Sequence, residues 1–325
     1  MSLIDRIPPL AALNYAKGQV LHRLGWRGHL SGTTAGQRSP AEAAAYYRAV
    51  VDDYIAYGAG GDPARLEGLD ILEIGPGDNL GVALLLLAHG AGSVTAIDGF
   101  DPPRSDAHNA SVYRILIEGL DPDMRARIEA ADVLAADGSL KLSTPRLRAF
   151  YRTPIHEPTE ALASARYDLI LSRAVLEHVA GLEAGWREMT RALRPPGAMW
   201  HKVDFRNHKF FAEVHPLYFL TVPPRLWNWI SSPDPTLNRL RLPEYRHLSE
   251  RDFDVTTVYF THILDEPELL PHPSTLIPDV HFSQRHLDLV RMIRPRLCPA
   301  FRDHSDEDLL ATGVFLISER LRAGR

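Results

Sequence analysis

The stretch Ile71–Gly81, ILEIGPGDNLG, decides the fold. Its opening residues are apolar apart from Glu73 and read as a short buried strand. Gly75 and Gly77 make a turn, and the apolar run Val82–Ala88 then reads as a helix closed by Gly90. Glycine permits backbone angles closed to other residues and lets a ligand approach the main chain. The helix start beyond it offers unpaired N–H groups. In open α/β sheets, ligands bind at the carboxyl ends of the strands, which is where such a turn lies.

Outward from this unit the pattern alternates. Ser93–Asp98 (SVTAID) reads as a second strand, Ser105–Leu120 as a helix, and Arg127–Asp132 (RIEAAD) as a third strand. Tyr167–Ser172 (YDLILS) reads as a fourth strand and Ala198–Asp204 as a fifth, with a helix between them that ends at Pro195, Pro196 and Gly197. Strands alternating with helices predict a parallel sheet covered on both faces. Right-handed crossovers narrow this to a doubly wound arrangement. Upstream, Ser39-Pro40-Ala41-Glu42 reads as a capping box that opens a helix running to about Tyr57. Downstream, Asp254–Phe260 reads as a strand, Ser283–Pro295 as a helix, Ser305 as the cap of a short helix, and Gly313–Arg320 (GVFLISER) as a closing strand.

Composition bounds the partners. A net charge of -5 over 325 residues argues against nucleic acid as a partner. The lone cysteine, Cys298, makes neither an internal disulfide nor a thiolate metal cage, which fits a cytoplasmic protein. No apolar run approaches the about 18 residues of a membrane span. Pro8 and Pro9 break any signal-peptide pattern. Residues 8–27 have helical spacing with Lys17 and Arg23 interleaved. We read them as a helix over the mouth of the site, with weak membrane-surface association as the alternative.

The turn also speaks to chemistry. A dinucleotide fingerprint needs a third glycine at the position of Leu80, and Gly81 comes one place late. Glu73 beside the cleft would repel a pyrophosphate and attract an ammonium or sulfonium. Asp98, 21 residues past Gly77, suits a carboxylate that accepts bonds from ribose hydroxyls. Asp132 is placed to accept from an adenine amino group.

Together, LEIGPGDN, VTAID, the Ala131-Asp132 pair, YDLILSRAVLEHV and LRPPG make the chain resemble a class I S-adenosylmethionine-dependent methyltransferase. The likeness is greatest to the subgroup with S-x-x-V-L-E-H after the fourth strand, here Ser172 to His178. It covers about Leu69–Asp204. The resemblance implies a Rossmann-like seven-stranded sheet whose last strand is antiparallel. It implies that Glu73, Gly75 and Gly77 hold the methionine end of the cofactor, Asp98 the ribose and Asp132 the adenine, with Ser172 also at the cofactor site. Asn79 stands where the family often has a third glycine.

The expected activity is methylation of a small organic acceptor, most simply at oxygen. The alternatives are an NAD(P)-dependent oxidoreductase and a non-catalytic S-adenosylmethionine-binding module. A hydroxyl acceptor calls for a base, and histidine is the usual one near neutral pH. His208 ranks first and His178 second, with Asp204 to orient His208. His201, His208 and His215 recur every seven residues, a spacing that a strand and an aromatic loop do not keep on one face, so no metal is expected. The aromatic run Phe210–Pro233 reads as a substrate cover, or else as a satellite core. The expected division is a helical lid over 1–60, a cofactor core over 61–204, a cover insertion over 205–253 and a sheet-completing 254–325. Oligomeric state is not legible.

Overall fold

The computed structural model describes residues 35–163, 167–206, 215–231, 237–269 and 280–322. The expected helix over 8–27 and the candidate base His208 lie outside them.

Seven strands form one sheet: β1 Asp70–Ile74, β2 Ser93–Ile97, β3 Leu147–Phe150, β4 Tyr167–Arg173, β5 Leu193–Asp204, β6 Phe253–Ile263 and β7 Ala311–Leu321. Their order is β3-β2-β1-β4-β5-β7-β6. Strands β1 to β5 pair in parallel, while β7 runs antiparallel to both β5 and β6. This is the doubly wound Rossmann-like sheet with its last strand antiparallel. The order reverses between β1 and β4, and that switch opens a crevice at the carboxyl ends.

Helices cover both faces. On one lie α1 (Pro40–Asp53), α2 (Gly81–Ala88), α3 (Asp106–Glu118) and α4 (Pro122–Ala131), over Ile71, Leu169, Leu171 and Trp200. The α1 capping box is formed as expected, with Ser39 Oγ accepting from the Glu42 N–H and the Glu42 carboxylate accepting from the Ser39 N–H. A π-helical turn, Tyr54–Gly58, extends α1 over the sheet. Gly58 is required there, since a Cβ would stand 2.2 Å from the Trp200 ring. All eight residues of α2 are buried, which explains its apolar character all round. The other face carries α5 (Leu182–Ala192) and α6 (Leu242–Asp252) against Leu72, Ile74, Ile170 and Leu316.

One element corrects the sequence reading. Arg127–Asp132 is not the third strand; it falls in and just after α4. Asp121 caps that helix by accepting from the Met124 N–H at 2.8 Å, Pro122 takes its first position, and Ile128 and Ala131 turn inward three residues apart. The third strand is the short Leu147–Phe150.

A separate apolar cluster gathers Leu217, Phe219, Leu220 and Trp227 with Val290, Ile293 and Phe301. Phe219 and Trp227 are thus core residues of a satellite cluster. Arg241 fastens it to the sheet. Its fully buried guanidinium donates to the carbonyls of Phe205 at 3.0 Å, Leu309 at 3.1 Å and Ala311 at 2.7 Å. Among the described residues no helix is long and apolar enough to cross a membrane.

Candidate active site

The turn after β1 is held almost entirely by polar groups aimed at its backbone. Gly75 and Gly77 have φ of 74° and 72°, left-handed values that other residues resist. A Cβ on Gly75 would also stand 2.3 Å from Val175 Cγ2 in the loop after β4. The Gly77 N–H donates to Asp98 Oδ2 at 3.0 Å, and the Phe100 N–H donates to Oδ1 at 2.8 Å. Asn79, in the place of the third glycine, closes a side-chain turn in which its Oδ1 accepts from the Gly81 N–H at 2.8 Å. Asn79 Nδ2 donates to Asn109 Oδ1 at 2.9 Å, and Asn109 Nδ2 donates to the Asp78 carbonyl at 2.7 Å. The Leu80 N–H donates to the Tyr113 hydroxyl at 3.1 Å. Asp78 itself is buried and accepts from the N–H groups of Ala35 and Gly36 at 2.9 and 2.8 Å, which ties the chain before α1 to the turn.

Glu73 points into this region. It is buried, and its Oε2 has no hydrogen-bond partner among the described residues. Burial, reinforced by the charge of Asp98, pushes its pKa up to about 8. Burial also raises Asp98, against the two backbone N–H bonds that favour its charged form. An unpartnered buried carboxyl is costly in the free protein and is relieved by a cation. The donor set therefore fits a ligand with positive charge near Glu73 and hydroxyls near Asp98.

Two expected cofactor residues lie elsewhere. Asp132 is not at a strand end: it is the left-handed C-cap of α4, its side chain 82% exposed and paired with Lys141 at 2.6 Å. Tyr151 is the residue that follows β3. Its ring lies 3.7 Å from the Arg104 guanidinium carbon, and burial pushes its pKa up to about 12, with the charges of Asp98 and Glu73 adding to the rise. Ser172 shares the sheet face of its register partner Ile74, opposite to Glu73, whose partner is Leu171. It is fully buried, with Oγ 2.8 Å from His201 Nδ1. His201 is buried too, and desolvation drops its pKa to about 3.

The carboxyl edge of β4 and β5 has a different character. Arg173, largely buried, pairs with Asp53 of α1. Lys202, its register partner on β5, pairs with Glu268. Asp204 accepts a two-toothed contact from Arg206, 2.9 Å from Nε and 2.5 Å from Nη2. Glu177 is fully buried with both carboxyl oxygens unpartnered among the described residues, and burial, then the charge of Asp204, holds its pKa well above the carboxylate range. His178, partly exposed, has Nε2 3.9 Å from Glu177 Oε1. His215 is structural: its Nε2 is 3.2 Å from the Leu289 carbonyl, and its Nδ1 accepts from the Leu217 N–H. Among the described residues no cluster of three metal-ligating side chains forms.

Sequence reasoning missed Asp53, Asp78, Asn109, Lys202 and Glu268. Only Asp78 carried a signal, being next to Gly77.

A buried acid and two left-handed glycines stand at the switch point of this sheet. A family model described as a methyltransferase domain matches residues 43–255, and the chain belongs to that family. The protein is a class I S-adenosylmethionine-dependent methyltransferase. The oxidoreductase alternative falls with this assignment. No curated protein matches the chain in sequence. Among solved structures it is similar to a chain of the complex between the Haloferax volcanii Trm112 methyltransferase activator and a methyltransferase. That match has 15% identity, 88% of this chain and 98% of that one covered, and a TM-score of 0.42. It is similar to the CurJ carbon methyltransferase, at 14% identity, with 84% of this chain and 54% of that one covered, and a TM-score of 0.41. A third is Haemonchus contortus phosphoethanolamine N-methyltransferase 2 in complex with S-adenosyl-L-methionine, at 13%, 79%, 49% and 0.37 in the same order. The chain spans about half the length of the latter two.

Proposed function

We propose that the protein methylates a hydroxyl of a small organic acceptor, in the cytoplasm. The observation that carries the cofactor assignment is the buried Glu73 carboxyl, one oxygen unpartnered, beside Gly75 and Gly77 at positive φ. Glu73 attracts the cationic methionine end. Gly75 and Gly77 let the main chain approach it, and Asp98 accepts from ribose hydroxyls through the lone pairs its two N–H donors leave free. Tyr151 takes the place at the end of β3 first expected of Asp132. When bound, S-adenosylmethionine supplies the methyl group and a neutral thioether leaving group.

Methyl transfer from a sulfonium is an in-line displacement, so the chain's work is alignment and exclusion of water. A hydroxyl acceptor must also lose a proton. His208, four residues past β5 in sequence, is the first candidate to take it, with Asp204 orienting its ring. His178, beside Glu177, is the second. We assign to closing and lining the acceptor side the parts of 1–60 and 205–253 outside α1, α6 and the satellite cluster.

Calorimetric titration with S-adenosylhomocysteine tests the cofactor site: binding is expected, and no heat with it or with S-adenosylmethionine ends the reading. With a hydroxyl acceptor drawn from a panel, His208→Ala should cut turnover by about a hundredfold or more and leave cofactor affinity nearly unchanged. If both His208→Ala and His178→Ala are silent, neither histidine is the base. A protein that binds the cofactor and turns over no acceptor is a binding module instead.

A further inference from the structure

Three cations converge where β4 and β5 end, and methyl transfer uses none of them. Arg173 and Lys202 are register partners, so their side chains share one face of the sheet. Arg173 is two residues past Leu171, the register partner of Glu73, which puts both cations on the same face as Glu73. Arg206 leaves the end of β5 beside them.

Their three anions are not equivalent. Asp53 belongs to α1 and Asp204 to β5, and each side chain is only 10% exposed. Glu268 comes from the segment after β6, which is tied back where the Leu269 N–H donates to the Thr261 carbonyl at 2.7 Å. Its side chain is 31% exposed, while that of Lys202 is 9% exposed. Burial raises the Glu268 pKa, but the bond from Lys202 and the charges of Lys202, Arg206 and Arg173 outweigh it and hold the carboxyl below its ordinary range. Glu268 is therefore the reachable anion of the set, on a connecting segment, lying against a buried lysine at the carboxyl end of β5.

We infer that Lys202, backed by Arg173 and Arg206, is a carboxylate-recognition site that Glu268 fills from within the chain, and that the acceptor is an organic acid whose carboxylate exchanges with Glu268. A buried ammonium stripped of its partner is strongly destabilising. An anion can replace Glu268 without that penalty, and a carboxylate preserves the charge balance of the cluster. The inference rests on the methyltransferase reading for the word acceptor; the anion site itself does not.

The test titrates benzoate, with benzamide as its uncharged counterpart, into the full-length protein with and without saturating S-adenosylhomocysteine. Benzoate is expected to bind about tenfold or more tighter than benzamide. Glu268→Gln removes the internal competitor and should tighten benzoate about three- to tenfold. Lys202→Met should weaken it about tenfold or more. Neither variant should change affinity for S-adenosylhomocysteine. Equal binding of benzoate and benzamide overturns the proposal, as does a Glu268→Gln protein that binds benzoate no better than wild type. A purely structural ion pair predicts that last result. If melting shows that Lys202→Met does not fold, Glu268→Gln decides alone. If S-adenosylhomocysteine fails to bind the wild type, the methyltransferase reading fails, and the benzoate–benzamide contrast without it still decides this one.

Discussion

The two ends of the crevice are built from different materials. Around β1 and β2 the protein grips its own backbone: Asp98, Asn79, Asn109, Tyr113 and Asp78 all bond main-chain N–H or carbonyl groups of the glycine turn or the chain beside it. Around β4 and β5 it pairs side chain with side chain, as Arg173 with Asp53, Lys202 with Glu268 and Arg206 with Asp204. Backbone geometry is a property of the fold and suits a cofactor of constant shape. Ion pairs between side chains are exchangeable. The contrast is that the β1 end should be intolerant of small steric changes and the β5 end tunable by charge.

The sharpest way to break that contrast is Gly75→Ala. A left-handed non-glycine residue costs about 1–2 kcal/mol. The added Cβ would also meet Val175 Cγ2 at 2.3 Å, next to Ala174, which is itself left-handed at φ 53°. Calorimetry should show S-adenosylhomocysteine affinity falling about a hundredfold or more, given that each 1.4 kcal/mol is tenfold. Wild-type affinity in this variant would mean the turn is not the grip.

Glu73→Gln sharpens the comparison through pH. The carboxyl rises from its ordinary 4.5 to about 8. A cationic ligand needs it ionised, so binding releases a proton below pH 8. Wild-type affinity for S-adenosylmethionine should climb between about pH 6 and 8, by at most about tenfold per unit, and level off above. The Gln variant should bind more weakly and lose that slope. Stability runs the other way. A raised acid contributes fully below its unfolded pKa, and its contribution is lost as pH rises toward the folded value. Without cofactor, Glu73→Gln should therefore be more stable than wild type at pH 8, on the order of 4 kcal/mol, with the difference fading toward pH 4.5. Parallel pH profiles for the two proteins would remove Glu73 from the cation site.

The same division runs through what local sequence makes legible. Strands β1, β2, β4 and β7 are apolar runs with clear punctuation, and Glu73, Gly75, Gly77 and Asp98 sit at fixed offsets from them. Local patterning was enough for these strands and for the turn between β1 and α2. Strand β3 is four residues of mixed burial, Leu147–Phe150, so its pattern was weaker than that of the capped helix mistaken for it. Period-two alternation gives β4 two faces without saying which one looks at Glu73; the register does, pairing Glu73 with Leu171 and setting Ser172 on the opposite face. Lys202 and Glu268 are 66 residues apart in sequence and Arg173 and Asp53 are 120 apart, so no local pattern announces either pair.

A smaller effect tests the layer behind the turn. Asn109 bridges the Asn79 side chain and the Asp78 carbonyl from inside α3. Asn109→Ala leaves both groups buried and short of a partner, which costs about 1–3 kcal/mol. Denaturant melts should show that loss, and S-adenosylhomocysteine should bind about tenfold more weakly because the turn loosens. A stability loss with wild-type affinity would show that Asn109 supports the fold and not the site.

The smallest expected effect checks the corrected strand. Asp132 makes one exposed ion pair, with Lys141, and lies past α4 instead of at the end of β3. Exposed pairs of this kind contribute little because water and salt screen them. Asp132→Ala should leave affinity for S-adenosylhomocysteine and for free adenosine unchanged in calorimetry, whereas Tyr151→Ala, at the true end of β3, should weaken both. The adenosine arm is needed because it isolates the nucleoside end from Glu73. A selective loss of adenosine binding in Asp132→Ala would mean that the loop after α4 reaches the adenine, and that the cofactor end is shaped by an exposed side chain as well as by its backbone.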